Sequence, residues 1–376
     1  MQKVENLIVG AGPAGLAIAG RMRHQNIPFV LIEKQKELGY SWRNHYDRLH
    51  LHTVKQLSAL PHLPYPEDYP IYVPRAKVVE YLDQYAQHFS IEPIFQTSME
   101  KVTKQNGHWV VNTNKEEPYL ADNVILTTGI NRVPNIPKWP NQASFKGEII
   151  HSRAYKNPYP FKGSKVLVVG MGNTGAEIAL DLAEKDIDVT VAIRSPICIV
   201  PRDVNGRPVQ LTAKTLAKIP FGLGDWLGTQ IRRFIIGDLT KYGVPLSTVH
   251  PTVQLRETGK TPIVDIGTAQ AFKDGKIKAA GDIASFTKEG VLFKSGGRQA
   301  FNHIILATGY HANLEEFIPE IKPFLDKYHL PKSPIGEGVL KNLFFVGFDN
   351  YQLGGILGII QSESETVVGT INERRK

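Results

Sequence analysis

Gly10-x-Gly12-x-x-Gly15 and Gly170-x-Gly172-x-x-Gly175 are the two places where residue types and spacing in this chain dictate a chemistry. Glycine at the first position permits a tight turn. At the second it lets backbone approach a diphosphate, and at the third it brings helix against strand. The residue that ends the next strand then selects the ligand. After the first triplet it is Glu33, eighteen residues beyond Gly15, where a carboxylate can accept both hydroxyls of an adenosine ribose. After the second it is Arg194, nineteen residues beyond Gly175, followed by Ser195. A guanidinium and a hydroxyl suit a ribose that carries an extra phosphate. The first triplet is therefore expected to hold FAD and the second NADPH, and the pair implies hydride transfer from one to the other.

The flanking residues supply the elements that must present these turns. Leu7 to Val9 form an apolar run suited to a strand buried on both faces, LAIAGRMRHQ a helix, and Phe29 to Ile32 a second buried strand that delivers Glu33. Asn26 is placed to end the helix in a left-handed conformation. Lys165 to Val169, AEIALDLAEK and Val189 to Ile193 repeat the plan. Between them, residues 74–89 read as a helix with Pro74 in its first turn and Val78, Val79, Leu82, Tyr85 and Phe89 on one face. Residues 94–128 read as an antiparallel meander turning at Asn106-Gly107. NVILTTG, ending at Gly129, should return to the parallel sheet, and FNHIILATGY at 301–310 should mirror it by crossing back to the first domain. NLFFVGF is a last buried strand, followed by DNYQLGG and an apolar helix from about Ile356. The N-terminus of that helix would offer a positive dipole to a flavin pyrimidine.

The fold class that follows is α/β, with two Rossmann-like dinucleotide-binding domains, the second inserted into the first. Residues 1–156 and 299–376 are expected to bind FAD and residues 157–298 NADPH, the latter with a helical insert at about 207–242. Pro-rich connections at 133–140 and 157–160 bracket the junction. Trp226, Leu227, Ile231, Phe234 and Ile235 make the insert apolar, and Arg232 and Arg233 flank them. It reads as a lid or packing insert ahead of a membrane-surface helix. The long irregular stretch after Glu33 reads as a binding wall, in which Trp42 either stacks on a flat ring or plugs a core.

Composition narrows the function further. Cys198 is the only cysteine, which excludes a Cys-x-x-Cys redox pair and argues against a disulfide reductase. The formal charge of +8 comes from basic residues scattered along the chain, so nucleic acid is not an expected partner. No signal peptide or membrane-spanning apolar run is evident, and the chain reads as soluble and cytoplasmic without a stable membrane anchor. A homodimer is compatible with the sequence but not required by it. No metal-ligand, Ser/His/Asp or paired-carboxylate set competes with the dinucleotide reading.

Two glycine turns, Phe145-x-Gly147-x-x-x-His151-x-x-x-Tyr155 and Ala307-Thr308-Gly309-Tyr310 together resemble the class B flavin-containing monooxygenases, over nearly the whole chain. Within that family YDRLHLHTVKQLSALPHLPYP is most similar to the YUCCA-like members and their bacterial relatives. The resemblance implies a flavin that is reduced by NADPH and reacts with O2 to give a hydroperoxide at carbon 4a, shielded by retained NADP. One oxygen atom then passes to a small organic substrate: a 2-oxo acid such as indole-3-pyruvate for YUCCA-like members, a thioether, amine or ketone for the wider family. His52 stands where larger relatives carry Asn and is the catalytic candidate; no C-terminal anchor is expected after Lys376. The candidate cofactor-binding set is Gly10, Gly12, Pro13, Ala14, Gly15, Glu33, Lys34, Trp42, Thr53, Gly129, Gly170, Gly172, Asn173, Thr174, Gly175, Arg194, Ser195, Thr308, Gly309 and Gln352. His151 is expected to be structural rather than a base. The competing readings are an NADPH-dependent flavin reductase or oxidase, and a redox sensor that never oxygenates a substrate.

Overall fold

The computed structural model describes residues 1–216, 223–352 and 354–375. In chain order the elements that carry the site are β1 (Gln2–Val9), α1 (Pro13–His24), β2 (Val30–Ile32), α2 (Arg75–His88), β3 (Met99–Gln105), β4 (His108–Thr113) and β5 (Tyr119–Leu126). They continue with β6 (Glu148–His151), β7 (Lys165–Val169), α3 (Asn173–Ala183), β8 (Asp188–Ala192), α4 (Val209–Leu216) and α5 (Leu223–Ile236). β9 (Ile277–Ala280), β10 (His303–Leu306), β11 (Leu343–Phe345) and α6 (Gly355–Arg375) complete the set. The chain divides into two compact units. The first comprises Met1–His45, Leu49–Val133 and Tyr310–Lys376, the second Tyr46–Arg48 and Pro134–Gly309.

In the first unit the strand order is β2-β1-β5-β4-β3. Strand β5 is shared. Its first half, Tyr119 to Ala121, pairs antiparallel with β4, and Val124 to Leu126 pair parallel with β11. The meander is as its turn chemistry dictates: Asn106 and Gly107 both have positive φ, at 52° and 86°, which is what a two-residue hairpin between right-twisted strands requires. Asn26 ends α1 at φ 54°. One face of the sheet is covered by α1, α2 and α6, whose Leu16, Ile18, Val78, Leu82, Val367 and Ile371 are buried in one apolar cluster. Tyr81 is buried in α2 where the sequence pattern pointed to Val79, which is only half-buried. Burial of such side chains stabilises the layer by about 1.5–3 kcal/mol each.

The irregular stretch after Glu33 holds a single helical turn, Tyr40–Arg43, and a 3-10 turn, Lys55–Leu57. It is ordered by polar contacts. The Lys55 ammonium donates to the carbonyls of Pro66, Glu67 and Tyr69 at 3.1, 2.7 and 2.6 Å. Trp42 is half-buried and packs on the core cluster.

The second unit is built on an all-parallel sheet, β9-β8-β7-β10-β6. Here one expectation is corrected. FNHIILATGY does not cross back to the first domain: β10 pairs with β7 on one side (Ile305 opposite Val168) and β6 on the other (Ile305 opposite Ile150). The chain leaves the second unit only after Gly309, and its junctions fall at 133/134 and 309/310 where the sequence reading put them at 156/157 and 298/299. The physical reason is that β6 and β10 complete the apolar interior of this sheet, with Ile304 and Leu306 buried against Leu167 and Phe286. The expected insert contains α4 and α5. Residues 217–222 and the side chains of Trp226, Leu227 and Ile231 lie outside the described residues, as do Leu353 and Lys376. In the last turn of α5, Ile236 is buried while Phe234 is 90% exposed.

Candidate functional site

In the first unit, β1 runs straight into the glycine turn, and each glycine has a distinct steric reason. Gly10 sits at φ +111°, and a Cβ there would stand 2.8 Å from the Thr127 carbonyl oxygen. Gly15 packs helix on strand so closely that a Cβ would fall 1.8 Å from the Gly10 carbonyl oxygen. Gly12 is different: no described atom lies within 4 Å of where its Cβ would be. It caps α1, with Pro13 in the first turn, so unpaired helix N–H groups open onto that space. Thr127 locks the turn from behind, its hydroxyl donating to the carbonyls of Val9 and Gly10 at 2.8 Å each.

Glu33 ends β2 at 8% exposure. Its Oε2 accepts the Ala11 amide at 2.7 Å and Oε1 the Gln35 amide at 2.9 Å. Each oxygen keeps a lone pair, so the carboxylate can brace the glycine turn and still accept ribose hydroxyls. Gly39 is tied to the same turn, its amide donating to the Ala11 carbonyl at 2.8 Å. Gly129 follows β5 at φ +83° with open space at its Cβ position, and the Thr128 hydroxyl beside it is buried without a partner. Thr53 meets the start of α6: a Cβ on Gly355 would lie 2.6 Å from the Thr53 Cγ2. The Thr53 hydroxyl shares a 2.6 Å hydrogen bond with Ser58. Gln352 donates to Asp349 at 2.6 Å in the connection that leads to that helix. Ala14 lies against Gly347, the first residue of the same connection beyond Val346. The first unit thus brings together Gly10, Gly12, Pro13, Ala14, Gly15, Glu33, Gly129 and, through α6, Thr53. Lys34 is exposed. His52, half-buried beside Thr53, lies on the same loop.

The second unit repeats the geometry. Gly170 is at φ +103° with the Ala307 carbonyl oxygen 2.6 Å from a would-be Cβ, a Cβ on Gly175 would fall 2.0 Å from the Gly170 carbonyl oxygen, and Gly172 faces open space. Asn173 is not a free ligand: its Oδ1 accepts the Val264 amide at 2.8 Å and its amide nitrogen donates to the Pro262 carbonyl at 3.2 Å. Its work is to fix the first turn of α3, one residue before Thr174. Arg194 and Ser195 stand exposed just past β8, and Arg194 makes no ion pair among the described residues. Asn135 clasps Thr308, its side chain donating to the Thr308 carbonyl at 3.1 Å while its own carbonyl accepts the Thr308 hydroxyl. Gly309 follows at φ +84°.

The Phe145–Tyr155 string also finds its reasons in this unit. Phe145 packs edge-on against Phe286, and a Cβ on Gly147 would strike the Asn302 carbonyl at 2.3 Å. The His151 Nε2 donates to the Gly309 carbonyl at 3.1 Å, while its Nδ1 accepts the Arg153 amide at 3.2 Å. Those two partners fit only the neutral tautomer, and burial pushes the imidazole below its ordinary pKa. His151 is a strut to the Thr308–Gly309 turn. Tyr155 donates to Asp181 of α3 at 2.7 Å, and Arg48 pairs with Asp181 at 3.3 Å and Glu184 at 3.0 Å. Burial raises the Asp181 carboxyl above the usual range. Thr127, Asn135 and Asp181 escaped sequence reading; only Thr127 carried a signal there, as the first residue past a buried strand.

Among the described residues no group of His, Cys, Asp and Glu could hold a metal, and no helix is long and apolar enough to cross a membrane. Two glycine cradles on parallel strands, one answered by a buried acid and the other by an exposed Arg-Ser pair, define an oxidoreductase fold with two dinucleotide sites. The chain belongs to the flavin-binding monooxygenase-like family, whose model matches residues 3–369. It is 34% identical over 360 residues to the indole-3-pyruvate monooxygenase YUCCA6 of Arabidopsis thaliana, covering 93% of this chain and 86% of that one. Its fold is similar to that of a flavin-containing monooxygenase from Stenotrophomonas maltophilia (TM-score 0.76, 20% identity, all of both chains). It is similar too to that of OTEMO in complex with FAD and NADP (TM-score 0.77, 17% identity, 99% of this chain and 84% of the other). The chain is accordingly a flavin-dependent monooxygenase.

Proposed function

We propose that the first unit binds FAD, that the second binds NADPH in preference to NADH, and that the substrate is a 2-oxo acid. The observation that carries the cofactor assignment is the contrast between the two strand ends, a buried carboxylate at Glu33 and an exposed guanidinium at Arg194 that makes no ion pair among the described residues. The substrate reading is supported by the named activity of the Arabidopsis relative. The FAD–NADP complex named for OTEMO supports the pair of cofactors.

The cradles fit their groups. The α1 N-terminus and Gly12 would take the FAD diphosphate, Glu33 its adenosine ribose, and the α6 N-terminus would face charge that develops on the flavin pyrimidine. Gly172 and the α3 N-terminus would take the NADPH diphosphate, and Arg194 with Ser195 its 2′-phosphate. Bound together, these groups supply hydride transfer to the flavin and activation of O2, one atom of which enters the substrate. The chain orients them and keeps water and stray protons from the reacting atoms.

Arg194→Ala should raise the Michaelis constant for NADPH about tenfold or more and leave that for NADH nearly unchanged, as loss of a charge-assisted contact of about 1.5–3 kcal/mol requires. Equal losses for both would make Arg194 structural. His52 is the titratable side chain beside Thr53, and its imidazole can deliver a proton where an amide cannot. His52→Asn is expected to lower the hydrogen peroxide released per NADPH consumed; an unchanged ratio would remove His52 from the reaction. The cofactor assignment itself is tested by anaerobic titration. NADPH should bleach the bound flavin at one equivalent, and NADH should do so only at far higher concentration.

A further inference from the structure

One carboxylate of α6 faces inward. Glu363 is 7% exposed, and its Oε2 accepts the Gly347 amide at 2.7 Å. The same carboxylate accepts the Asp349 amide. Both amides belong to the turn that carries the chain from β11 into α6. That turn is tightly boxed. Gly347 is at φ +83°, and a Cβ there would lie 3.2 Å from the Ala14 Cβ and 3.4 Å from the Ile360 Cγ1. Asp349 extends the order forward, accepting the Tyr351 amide at 2.7 Å and the Gln352 side chain at 2.6 Å. At the far end of the turn, Gly355 rests on Thr53.

For stability alone this is a poor place for an acid. Burial lifts the Glu363 pKa to about 7, and the nearby Asp349 charge adds to the rise, partly offset by the two amides. No cation relieves it among the described residues that surround it. Arg21, facing α6 from α1, directs its guanidinium to Ser364, the Gln361 carbonyl and Glu365. Glu365 itself points to solvent, 74% exposed. A neutral side chain of similar volume would avoid the desolvation cost. What the ionised carboxylate alone provides is acceptance of two adjacent amides at once.

We propose that Glu363 is a positioning residue for the flavin: its carboxylate fixes the Gly347–Asp349 backbone and, through it, the entry of α6 against Ala14 and Thr53. The assignment rests on the reading that the first unit holds FAD. Glutamine separates this role from a merely structural one. Its amide offers one neutral acceptor oxygen in place of two charged ones, so its hold on the two N–H groups is weaker. At pH 8, where the carboxyl is ionised, Glu363→Gln also removes a buried charge. The variant should therefore keep or gain thermal stability while losing affinity for FAD; a residue that serves only the fold would lose stability first.

The test uses the full chain stripped of FAD and titrated with FAD at pH 8 by flavin fluorescence, alongside melting temperature and the visible flavin spectrum. Glu363→Gln should bind FAD about tenfold more weakly, with a shifted visible band and no drop in melting temperature. Glu363→Leu, which accepts from neither amide, should bind more weakly still. Glu365→Gln on the exposed side of the helix should match the parent in all three. A Glu363→Gln protein with the parent's affinity and spectrum would overturn the role of Glu363 alone. Failure of the parent chain to take up FAD would overturn the flavin assignment, and the role with it.

Discussion

Gly12→Ala should fold as stably as the parent, to within about 1 kcal/mol, and be isolated with little or no FAD. The reason is local. A methyl group at Gly12 meets no described atom within 4 Å, and the residue sits at φ −82°, ψ −172°, extended backbone open to any side chain. The methyl instead enters the space through which backbone N–H groups of α1 must approach a diphosphate. Overpacking of this kind costs about 1–3 kcal/mol, roughly five- to more than a hundredfold in affinity. Gly15→Ala should behave in the opposite way. Its Cβ would stand 1.8 Å from the Gly10 carbonyl oxygen, so α1 must move off the sheet and the melting temperature should fall along with flavin content. The ratio of visible to near-ultraviolet absorbance, read beside thermal unfolding, distinguishes the two. A Gly12→Ala protein that stays fully yellow would place the diphosphate elsewhere.

Gly172→Ala should give the complementary phenotype: a yellow protein that NADPH no longer reduces. Gly172 faces open space as Gly12 does, and a Cβ on Gly175 would again strike a carbonyl, that of Gly170 at 2.0 Å. Stability and FAD content should therefore match the parent, while the NADPH concentration that half-saturates anaerobic flavin reduction rises roughly tenfold to a hundredfold. Dithionite should still bleach the flavin at the normal rate. Loss of FAD from Gly172→Ala would reverse the assignment of the two cradles.

Both cradles were legible because each is written in adjacent residues. An apolar run, a glycine triplet and a second apolar run specify strand, turn, helix and strand without help from distant parts of the chain. Asn26 and Asn106-Gly107 were legible for the same reason, since a short polar or side-chain-free residue relieves a left-handed backbone wherever it occurs. What escaped depends on pairing between remote segments. His303 to Leu306 reads like Asn123 to Leu126, and nothing within it tells that Ile305 lies between Val168 and Ile150 rather than in the other sheet. Asp181 and Glu363 look like ordinary solvated acids of amphipathic helices. Only the tertiary structure buries one under Tyr155 and the other against Gly347. The Asn173 side chain is likewise held by remote segments, at Pro262 and Val264, which no local pattern announces.

The electrons of NADPH are expected to reduce O2, one atom of which enters the substrate while the other leaves as water. Purified enzyme supplied with NADPH, indole-3-pyruvate and isotopically labelled O2, with the product identified by mass spectrometry, tests it most directly. Indole-3-acetate with one labelled oxygen in its carboxylate is expected, formed with release of CO2 and close to one NADPH oxidised per product. NADPH oxidation that yields hydrogen peroxide and no labelled product from this 2-oxo acid, nor from a thioether, amine or ketone, would contradict it and leave a flavin reductase or oxidase.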